Sequence, residues 1–370
     1  MLLLPLIPLK SCRVWETEGK DKLSDTMETK IYKINSKDDE SVEEVALILK
    51  NGGLAAVPTE TVYGLAANAL DGKAVKKIFE AKGRPSDNPL IVHISNMDEW
   101  AGLVTEIPEK ARLLAEKFWP GPLTIILEKS DIIPDETSGK LSTVGVRMPD
   151  NEITRAIIEK AGVPLAAPSA NTSGKPSPTN AAYVMEDMKG KIDAVVDGGS
   201  CQVGVESTVI TLTTEKPLLL RPGGVTPEMI EAVIGEIDIS DAVFNKLRDD
   251  AEAQSPGMKY KHYSPKAKVV ILKGEFSSYK DYVMSSKLNK VALCFEEDKK
   301  ELSSVPVVTY GKAGDSFSQA ARLFDALREV DEMGAEIAYA RFPEKTGVGL
   351  AVFNRLVRAA GFNIIEVQAL

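Results

Sequence analysis

The chain has 370 residues, of which 44% are hydrophobic and 27% are charged, and its net charge is −9. This length predicts two domains, and the composition is that of a globular protein, which excludes a disordered chain. The acidic balance argues against a protein that coats a nucleic-acid duplex, because such proteins need a broad basic face.

Three cysteines, Cys12, Cys201 and Cys294, lie far apart without CxxC spacing. This excludes a zinc ribbon and disfavours a disulfide framework.

The apolar start, MLLLPLIPLK, is too short for a membrane span and lacks the basic region and cleavage site of a signal peptide. We therefore expect a cytoplasmic protein with no membrane segment. Residues 1–30 are predicted to be a dispensable N-terminal extension, with the part before Met27 having little structural role.

Short apolar runs alternate with helical patterns over residues 31–235. Several helical patterns open with Asn, Thr or Pro, as helix starts do. This alternation predicts an α/β domain. The predicted strands are LAAVPT (54–59), LIVHIS (90–95), LTIIL (123–127), TVGVRMP (143–149), PLAAPSAN (164–171), STVITL (207–212) and LLLRPGG (218–224).

Residues 236–266 interrupt this rhythm with acidic turns and the polar stretch SPGMKYKHYSPKA, which favours an inter-domain linker. Its aromatic and basic cluster around His262 favours docking on the first domain, over a ligand, although an ordinary connecting segment is the alternative. Strand and helix patterns resume over 267–370 and predict a smaller, Rossmann-like α/β domain. Within it we interpret TGVGLAVFNRL (346–356) as a helix cap, since no companion charges are apparent for a phosphate site.

Small polar residues follow or end several predicted strands of the first domain. Ligands of open α/β sheets bind at the carboxyl ends of strands, although helix caps and turns use the same residue types. The segments concerned are PTETVYG with Thr59 and Thr61, PSAN with Ser169 and Asn171, and EST with Ser207 and Thr208.

The segment KGRPSDNPL places Lys82 and Arg84 two residues apart after a predicted helix, with prolines stiffening the turn. Two cations in a fixed turn suit a triphosphate and a leaving pyrophosphate, with an exposed basic turn as the alternative.

Arg147 and Arg221 each end an apolar strand. A buried arginine needs a carboxylate or phosphate partner, which either a ligand or the protein itself can supply.

His93 alternates with Val92 and Ile94 and therefore faces the opposite side of its strand, either as a core histidine or as a site residue.

The motifs GxxxxGK[ST], HExxH and GxSxG do not occur in the sequence. The sequence therefore gives no support for a P-loop nucleotide site, a zincin metalloprotease site or the nucleophile elbow of an α/β-hydrolase.

The ordered set PTETVYGLAANA, KGRPSDNPL, FWPGPLT, VGVRMP, PSANTSGKPSPT, GVESTVI and LLRPGG resembles the YrdC-like threonylcarbamoyl-AMP synthase family over residues 31–235. SPGMKYKHYSP and the domain after it are similar to the two-domain members of that family. The resemblance implies a YrdC-like twisted open sheet with helices, followed by the linker and the Rossmann-like domain.

The activity that the resemblance implies uses ATP, L-threonine and bicarbonate. A carbamate of threonine attacks the α-phosphate of ATP, which is accompanied by Mg²⁺, and pyrophosphate leaves. In such families a separate threonylcarbamoyl transferase complex places the product on tRNA. No direct tRNA binding by this chain is therefore required.

The resemblance also implies a set of site residues. Lys82 and Arg84 face the phosphates and are the expected catalytic residues, and Arg147 holds the threonine carboxylate. The threonine-binding positions are Thr61, His93, Arg147, Ala167 and Ser207. The ATP-binding positions are Lys82, Arg84, Asn88, Thr143, Ser169, Asn171, Ser177 and Arg221, with His262 and Tyr263 closing over the nucleotide.

Two other functions were weighed against this one. A carbamoyl-adenylate enzyme of hydrogenase maturation resembles the first domain, but such proteins are longer and carry zinc fingers, for which three dispersed cysteines do not suffice. A non-catalytic RNA-binding module is the alternative from another class. The net charge of −9 disfavours that module.

Overall fold

A computed structural model describes residues 27–246 and 263–368. The strands are β1 Lys30–Lys33, β2 Ala55–Val57, β3 Gly64–Asn68, β4 Ile91–His93, β5 Leu123–Glu128, β6 Thr143–Arg147, β7 Leu165–Ala166, β8 Ala194–Asp197, β9 Thr208–Thr211, β10 Leu218–Arg221, β11 Asp238–Ile239, β12 Lys268–Lys273, β13 Lys290–Cys294, β14 Val307–Thr309, β15 Ile337–Arg341 and β16 Ile364–Glu366. The α-helices are α1 Ser41–Lys50, α2 Gly72–Lys82, α3 Trp100–Leu103, α4 Glu109–Phe118, α5 Asp135–Ser138, α6 Glu152–Ala161, α7 Ala181–Met188, α8 Pro227–Ile234, α9 Phe276–Ser285, α10 Ser316–Glu332 and α11 Gly349–Ala359.

The first domain is built on one mixed sheet in the order β1-β8-β2-β3-β7-β4-β6-β5-β9-β10-β11. All seven strands predicted from apolar runs are present in it. Strand β4 pairs in parallel with β6, whereas β5 runs antiparallel to β6 and parallel to β9. This arrangement brings the ends of β4 and β6 and the starts of β5 and β9 to the same edge of the sheet.

The second domain has an all-parallel sheet in the order β14-β13-β15-β12-β16, flanked by helices. The α/β class predicted for both domains is thus confirmed. The strand order differs from the 3-2-1-4-5-6 order of classic dinucleotide-binding sheets, since β15 lies between β12 and β13.

The domain boundaries differ slightly from those predicted. Strand β11 pairs with β10, so the first sheet continues beyond residue 235 into the segment predicted as linker. At the other end, Thr29 donates a hydrogen bond to the carbonyl of Ile192 and β1 begins at Lys30, so these residues belong to the domain. Residues 1–26 and 247–262, including His262, lie outside the described residues.

Helix α2 illustrates how local sequence positions the site. Asp71 caps its first turn by accepting a hydrogen bond from the Lys73 amide. Gly83, in the left-handed conformation with φ of 61°, ends it. Because the helix stops there, Lys82 and Arg84 emerge together at the edge of the sheet.

The two domains share an apolar boundary. Val62 and Val205 of the first domain pack in the same core cluster as Phe324 and Leu356 of the second domain. Polar contacts cross the same boundary, among them an ion pair of 2.9 Å between Arg328 and Asp187. The second domain therefore covers part of the first rather than merely following it.

Within the described ranges, none of the helices combines the length and the apolar character that crossing a membrane requires.

Candidate active site

Strand pairing places several predicted site residues at one edge of the first sheet. His93 and Arg147 are register partners at the ends of β4 and β6. The backbone amide of Ala167, just after β7, donates to the carbonyl of Ile91. Ser207 precedes β9, and Arg221 ends β10, which pairs with β9. Residues far apart in sequence therefore meet at one place.

A cavity of about 70 Å³ lies at this edge. The predicted site residues that line it are Thr61, Lys82, Arg84, His93, Arg147, Ala167, Ser169, Asn171, Ser207, Arg221 and Tyr263. The cationic turn and the two strand-terminal arginines thus share one cavity, as the sequence interpretation requires. Which ligand each of them binds stays a prediction.

Lys82 is buried and is held by backbone carbonyls. Its ammonium donates to the carbonyl oxygens of Ser169 and Asn171, the latter at 2.7 Å. Burial, with a smaller contribution from nearby Arg84, holds the pKa of Lys82 well below its usual range. Lys82 therefore also fixes the PSAN turn across the cavity from its own helix.

Arg84 follows on the same turn and is only half-buried. Its guanidinium lies 6.0 Å from the ring centre of Phe79. It borders both the site cavity and a wider neighbouring cavity lined by Lys76, Glu136 and Lys140. Of the two cations in the turn, Arg84 is the more exposed.

Arg147 meets a carboxylate of the protein itself. Its Nη2 atom lies 2.7 Å from Oε1 of Glu60, and both side chains are buried. The two groups pair by charge without hydrogen-bond alignment, while Nε of Arg147 donates to the carbonyl of Gly121 at 3.2 Å. The internal salt bridge that the sequence left open is thus present, and Arg147 still lines the cavity.

Arg221 is tied to Ser207. Its Nε donates to the Ser207 carbonyl at 3.0 Å and its Nη2 to the Ser207 hydroxyl at 3.1 Å. That hydroxyl is also 2.8 Å from the hydroxyl of Thr124. Burial and the nearby charge of Arg355 lower the pKa of Arg221 to about 10, which leaves it charged at neutral pH.

His93 is buried with Nδ1 at 3.2 Å from the Ile91 carbonyl. Burial and the adjacent Arg147 lower the pKa of His93 to about 3. The imidazole is therefore neutral at physiological pH. It can offer one hydrogen bond to a ligand but no charge.

Hydroxyl groups form the remaining polar wall. The Thr59 and Thr61 hydroxyls lie 2.8 Å apart, and Thr59 also accepts from the backbone amides of Thr61 and Val62. These bonds fix the turn after β2. On the other side, the Ser169 hydroxyl donates to the side-chain oxygen of Asn171 at 2.6 Å.

Tyr263 forms part of the cavity wall from the linker side. It is buried, has a positive φ of 62°, and packs against Phe324 of the second domain with the rings tilted by 31° and their centres 5.1 Å apart. Burial raises the pKa of its phenol, with Glu206 adding to the shift. The structure thus places this end of the linker at the cavity, whereas the prediction for His262 concerns a residue outside the described ranges.

Three predicted residues lie behind the cavity or beside it. Ser177 is buried and donates to Oε1 of Glu206 at 2.5 Å. Thr143, at the start of β6, lines a narrow neighbouring space that shares Ile91 with the main cavity. Asn88 is fully buried, and its side-chain amide has no hydrogen-bond partner within the described residues.

Several residues of the site were not predicted from sequence. Glu60 and Glu206 form buried ion pairs there, and Lys175 lines the cavity. Arg355, from the glycine-rich run interpreted as a helix cap, reaches Glu206 at 2.7 Å. The run does begin a helix, α11, as the cap interpretation requires, but the sequence did not indicate that this helix brings a charge to the site. The motif GVES could have drawn attention to Glu206, but no local pattern indicates Arg355.

The donor set does not fit a resident divalent metal. Over residues 27–246 and 263–368 there is no cluster of three His, Cys, Asp or Glu side chains that could hold one. Glu206 is the carboxylate that lines the cavity, and it is already engaged by Arg355 and Ser177.

Comparisons with known proteins agree with this geometry. A Sua5/YciO/YrdC family profile described as "Telomere recombination" matches residues 47–223, and a profile described as "Threonylcarbamoyl-AMP synthase, C-terminal domain" matches residues 225–361. The chain is 50% identical to a threonylcarbamoyl-AMP synthase of Pyrococcus abyssi, over 86% of this chain and 94% of that one. It is 45% identical to the Bacillus subtilis protein of that name, over 90% and 96%.

A solved structure gives the same result. The P. abyssi Sua5 protein complexed with L-threonine superposes with a TM-score of 0.84 at 46% identity, covering 92% of this chain and 100% of that one. Both domains of this chain are therefore matched in one relative. The chain belongs to the threonylcarbamoyl-AMP synthase family, in its two-domain form.

Proposed function

We propose that this chain is an L-threonylcarbamoyladenylate synthase, a nucleotidyltransferase that converts L-threonine, bicarbonate and ATP to threonylcarbamoyl-AMP and pyrophosphate. One observation carries the proposal: Lys82, Arg84, Arg147 and Arg221 converge on one cavity that small hydroxyl side chains also line. Such a cavity suits a polyanion next to a small zwitterion. Family membership supplies the reaction.

Threonine fits the Arg147 side of the cavity. A guanidinium has five donors in a fixed fork, so Arg147 can pair with Glu60 and still offer donors to a substrate carboxylate. Glu60 then keeps Arg147 oriented. Thr61, neutral His93 and the backbone at Ala167 complete this side. A neutral His93 adds no positive charge that would repel the amine of threonine.

The triphosphate fits the side of Lys82, Arg84 and Arg221. Thr143 and Ile91 border a narrow neighbouring space, and Ile91 also lines the main cavity, which gives Thr143 a place beside the proposed nucleotide. Asn88, with its unpaired buried amide, immediately precedes Pro89 at the border of the same space. Mg²⁺ enters as part of the Mg·ATP substrate.

The chemistry asks the protein for alignment and charge stabilisation. Bicarbonate loses hydroxide to give carbon dioxide, and the neutral amine of threonine attacks this carbon dioxide and gives up a proton, which leaves with the hydroxide as water. A carbamate oxygen then attacks the α-phosphorus of ATP, and the bond from that phosphorus to the bridging oxygen of the β-phosphate breaks as pyrophosphate leaves. Lys82 and Arg84 stabilise the charge that develops on pyrophosphate, an effect of roughly 3 kcal/mol per well-placed donor. Burial of the cavity walls protects the carbamate, which loses carbon dioxide in water.

The product is an activated acyl group, so a separate threonylcarbamoyl transferase complex that accepts it is the proposed downstream partner. A cytoplasmic location remains part of the proposal and is supported by the free thiols of Cys201 and Cys294.

The RNA-binding alternative gains no support from the site. Lys82, Arg147 and Arg221 are 3%, 4% and 6% exposed, so an RNA backbone could not reach them. Their charge is directed into a cavity rather than onto a surface.

Pyrophosphate release by the purified full chain tests the proposal. We expect release that requires ATP, threonine and bicarbonate together, with threonylcarbamoyl-AMP identified by mass spectrometry. Serine in place of threonine serves as the matched substrate control. Release independent of threonine would contradict the proposal, as would tight, salt-dependent tRNA binding without any adenylate formation.

A further inference from the structure

We propose that Arg355, which lies on α11 of the second domain, is a positioning residue of the synthase reaction that holds Ser207 and Arg221 in place and neutralises Glu206 beside the nucleotide. This deepens the proposed function, on which its activity readout rests. The two turns concerned are 206–207 and 221–222, which we call the Ser207 turn and the Arg221 turn.

The guanidinium of Arg355 is fully buried and contacts both turns at once. Nε lies 2.7 Å from Oε2 of Glu206, and Nη2 donates to the Glu206 carbonyl at 3.3 Å. The same Nη2 donates to the carbonyl of Pro222 at 3.0 Å. One side chain of the second domain therefore joins the residue before Ser207 to the residue after Arg221.

The two joined turns carry side chains that act as a unit. Arg221 donates from Nε and Nη2 to the carbonyl and hydroxyl of Ser207. Ser207 and Arg221 both line the cavity, whereas Arg355 lies behind them. Arg355 thus acts through these residues rather than on a substrate.

Arg355 is itself held rigidly. Its Nη1 donates to the side-chain oxygen of Asn354 at 2.8 Å, and the Asn354 amide donates to the carbonyl of Val243 at 2.7 Å. The guanidinium also lies 5.7 Å from the ring centre of Tyr263. A fixed guanidinium can transmit its position to the two turns.

Charge gives Arg355 a second role. Glu206 is a carboxylate in the wall of a cavity proposed to hold a triphosphate. Left alone, its charge would repel that ligand. Arg355 compensates this charge at 2.7 Å, which leaves the other cations of the cavity for the phosphates.

The test compares Arg355→Gln with Arg328→Gln in the full chain. Arg328 is a matched control because it is also a buried arginine of the second domain that pairs with a carboxylate of the first, Asp187. Unlike Glu206, however, Asp187 does not line the cavity. For each variant we would measure the melting temperature, calorimetric binding of Mg·ATP, kcat and KM for ATP in threonine-dependent pyrophosphate release, and amide exchange over residues 204–223.

For Arg355→Gln we expect Mg·ATP binding and kcat/KM for ATP to fall about tenfold or more, with faster amide exchange in both turns. Arg328→Gln is expected to lower the melting temperature while leaving these values within about threefold. Adding Glu206→Gln to Arg355→Gln removes the uncompensated charge and should recover part of the lost Mg·ATP affinity, a rescue that a purely structural role would not give.

Equal losses in the Arg355 and Arg328 variants, or Mg·ATP binding by Arg355→Gln within about twofold of the original, would overturn the proposal. If Arg355→Gln does not fold, Arg355→Lys takes its place, since it keeps the charge but cannot bridge both turns. If the unmodified chain shows no threonine-dependent release, the proposed function fails, and the binding and exchange measurements still decide the role of Arg355.

Discussion

The two cations of the KGRPSDNPL turn differ in what holds them. Lys82 donates to two carbonyls of the facing turn, so it supports structure as well as any ligand. Arg84 is half-buried and borders two cavities. Lys82 is therefore the more firmly held of the two cations, and Arg84 is the more exposed.

Replacing these residues one at a time should therefore have different consequences. Arg84→Ala is expected to fold, with the smaller loss of stability because Arg84 is only half-buried, and to lose at least about tenfold in pyrophosphate release. Lys82→Ala should lose similar activity and also become less stable, because two carbonyls lose their donor. Turnover assays and thermal unfolding check this. Near-original turnover of both variants would contradict the assigned roles.

His93 should give the stability of the protein a pH dependence. Its pKa is about 3 in the folded state against an ordinary value of 6.5 for histidine, so the unfolded chain takes up a proton between these values and the folded chain does not. Its contribution is present above pH 6.5 and is lost as the pH falls toward 3, by up to about 1.4 kcal/mol per pH unit.

A non-titrating variant isolates this effect. The stability difference between His93→Gln and the original chain should shrink or change sign as the pH is lowered from 7 to 4, measured by denaturant unfolding. A difference that stays constant over that range would show that His93 is not held neutral.

At the scale of elements, the turn after β10 approaches β9 very closely. A Cβ atom at Gly223 would lie 2.3 Å from the amide nitrogen of Thr208 and 2.6 Å from the carbonyl carbon of Ser207. Such distances to backbone cannot be relieved by a side-chain movement. Glycine at this position is therefore what lets Arg221 reach Ser207.

Gly223→Ala is accordingly expected to lower the free energy of unfolding by about 1–3 kcal/mol and to reduce activity by displacing Arg221. Gly102→Ala is the matched control, since a Cβ there meets nothing within 4 Å. It should leave both quantities unchanged or slightly raise stability. Denaturant unfolding and pyrophosphate release measure the pair, and equal behaviour of the two variants would contradict the argument.

At the scale of the whole molecule, the second domain completes the first. Its core cluster takes in Val62 and Val205, which are 6% and 0% exposed, and Tyr263 from the linker end. Arg355 and Arg328 add buried ion pairs across the boundary. Separation of the domains would expose apolar surface and leave Glu206 and Asp187 without these partners.

Deleting residues 267–370 while keeping the linker should therefore abolish most adenylate formation and lower the melting temperature of what remains. The deletion removes Arg355, which contacts Glu206, and Phe324, against which Tyr263 packs. Adenylate formation is followed by mass spectrometry beside circular dichroism of the truncated chain. Activity equal to that of the full chain would show that the second domain serves another purpose.

Much of this protein follows from local sequence. Apolar runs closed by proline or glycine predicted strands such as β4, β6 and β10, and a glycine after Lys82 ends α2. Strands without such a boundary, such as β3, were not predicted, because GLAAN carries no alternation of apolar and polar residues. The ordered motifs predicted most of the site residues, because each of these residues lies at or near the end of its own strand or helix.

The sequence by itself determined the two α/β domains, the family and most of the side chains that line the cavity, because these depend on periodicity and on short motifs. Only the tertiary structure decided how the charges are paired. Glu60 with Arg147, and Glu206 with Arg355, are separated by 87 and 149 positions along the chain. The reason is physical: a buried charge must find its partner in three dimensions, and no local pattern records that choice.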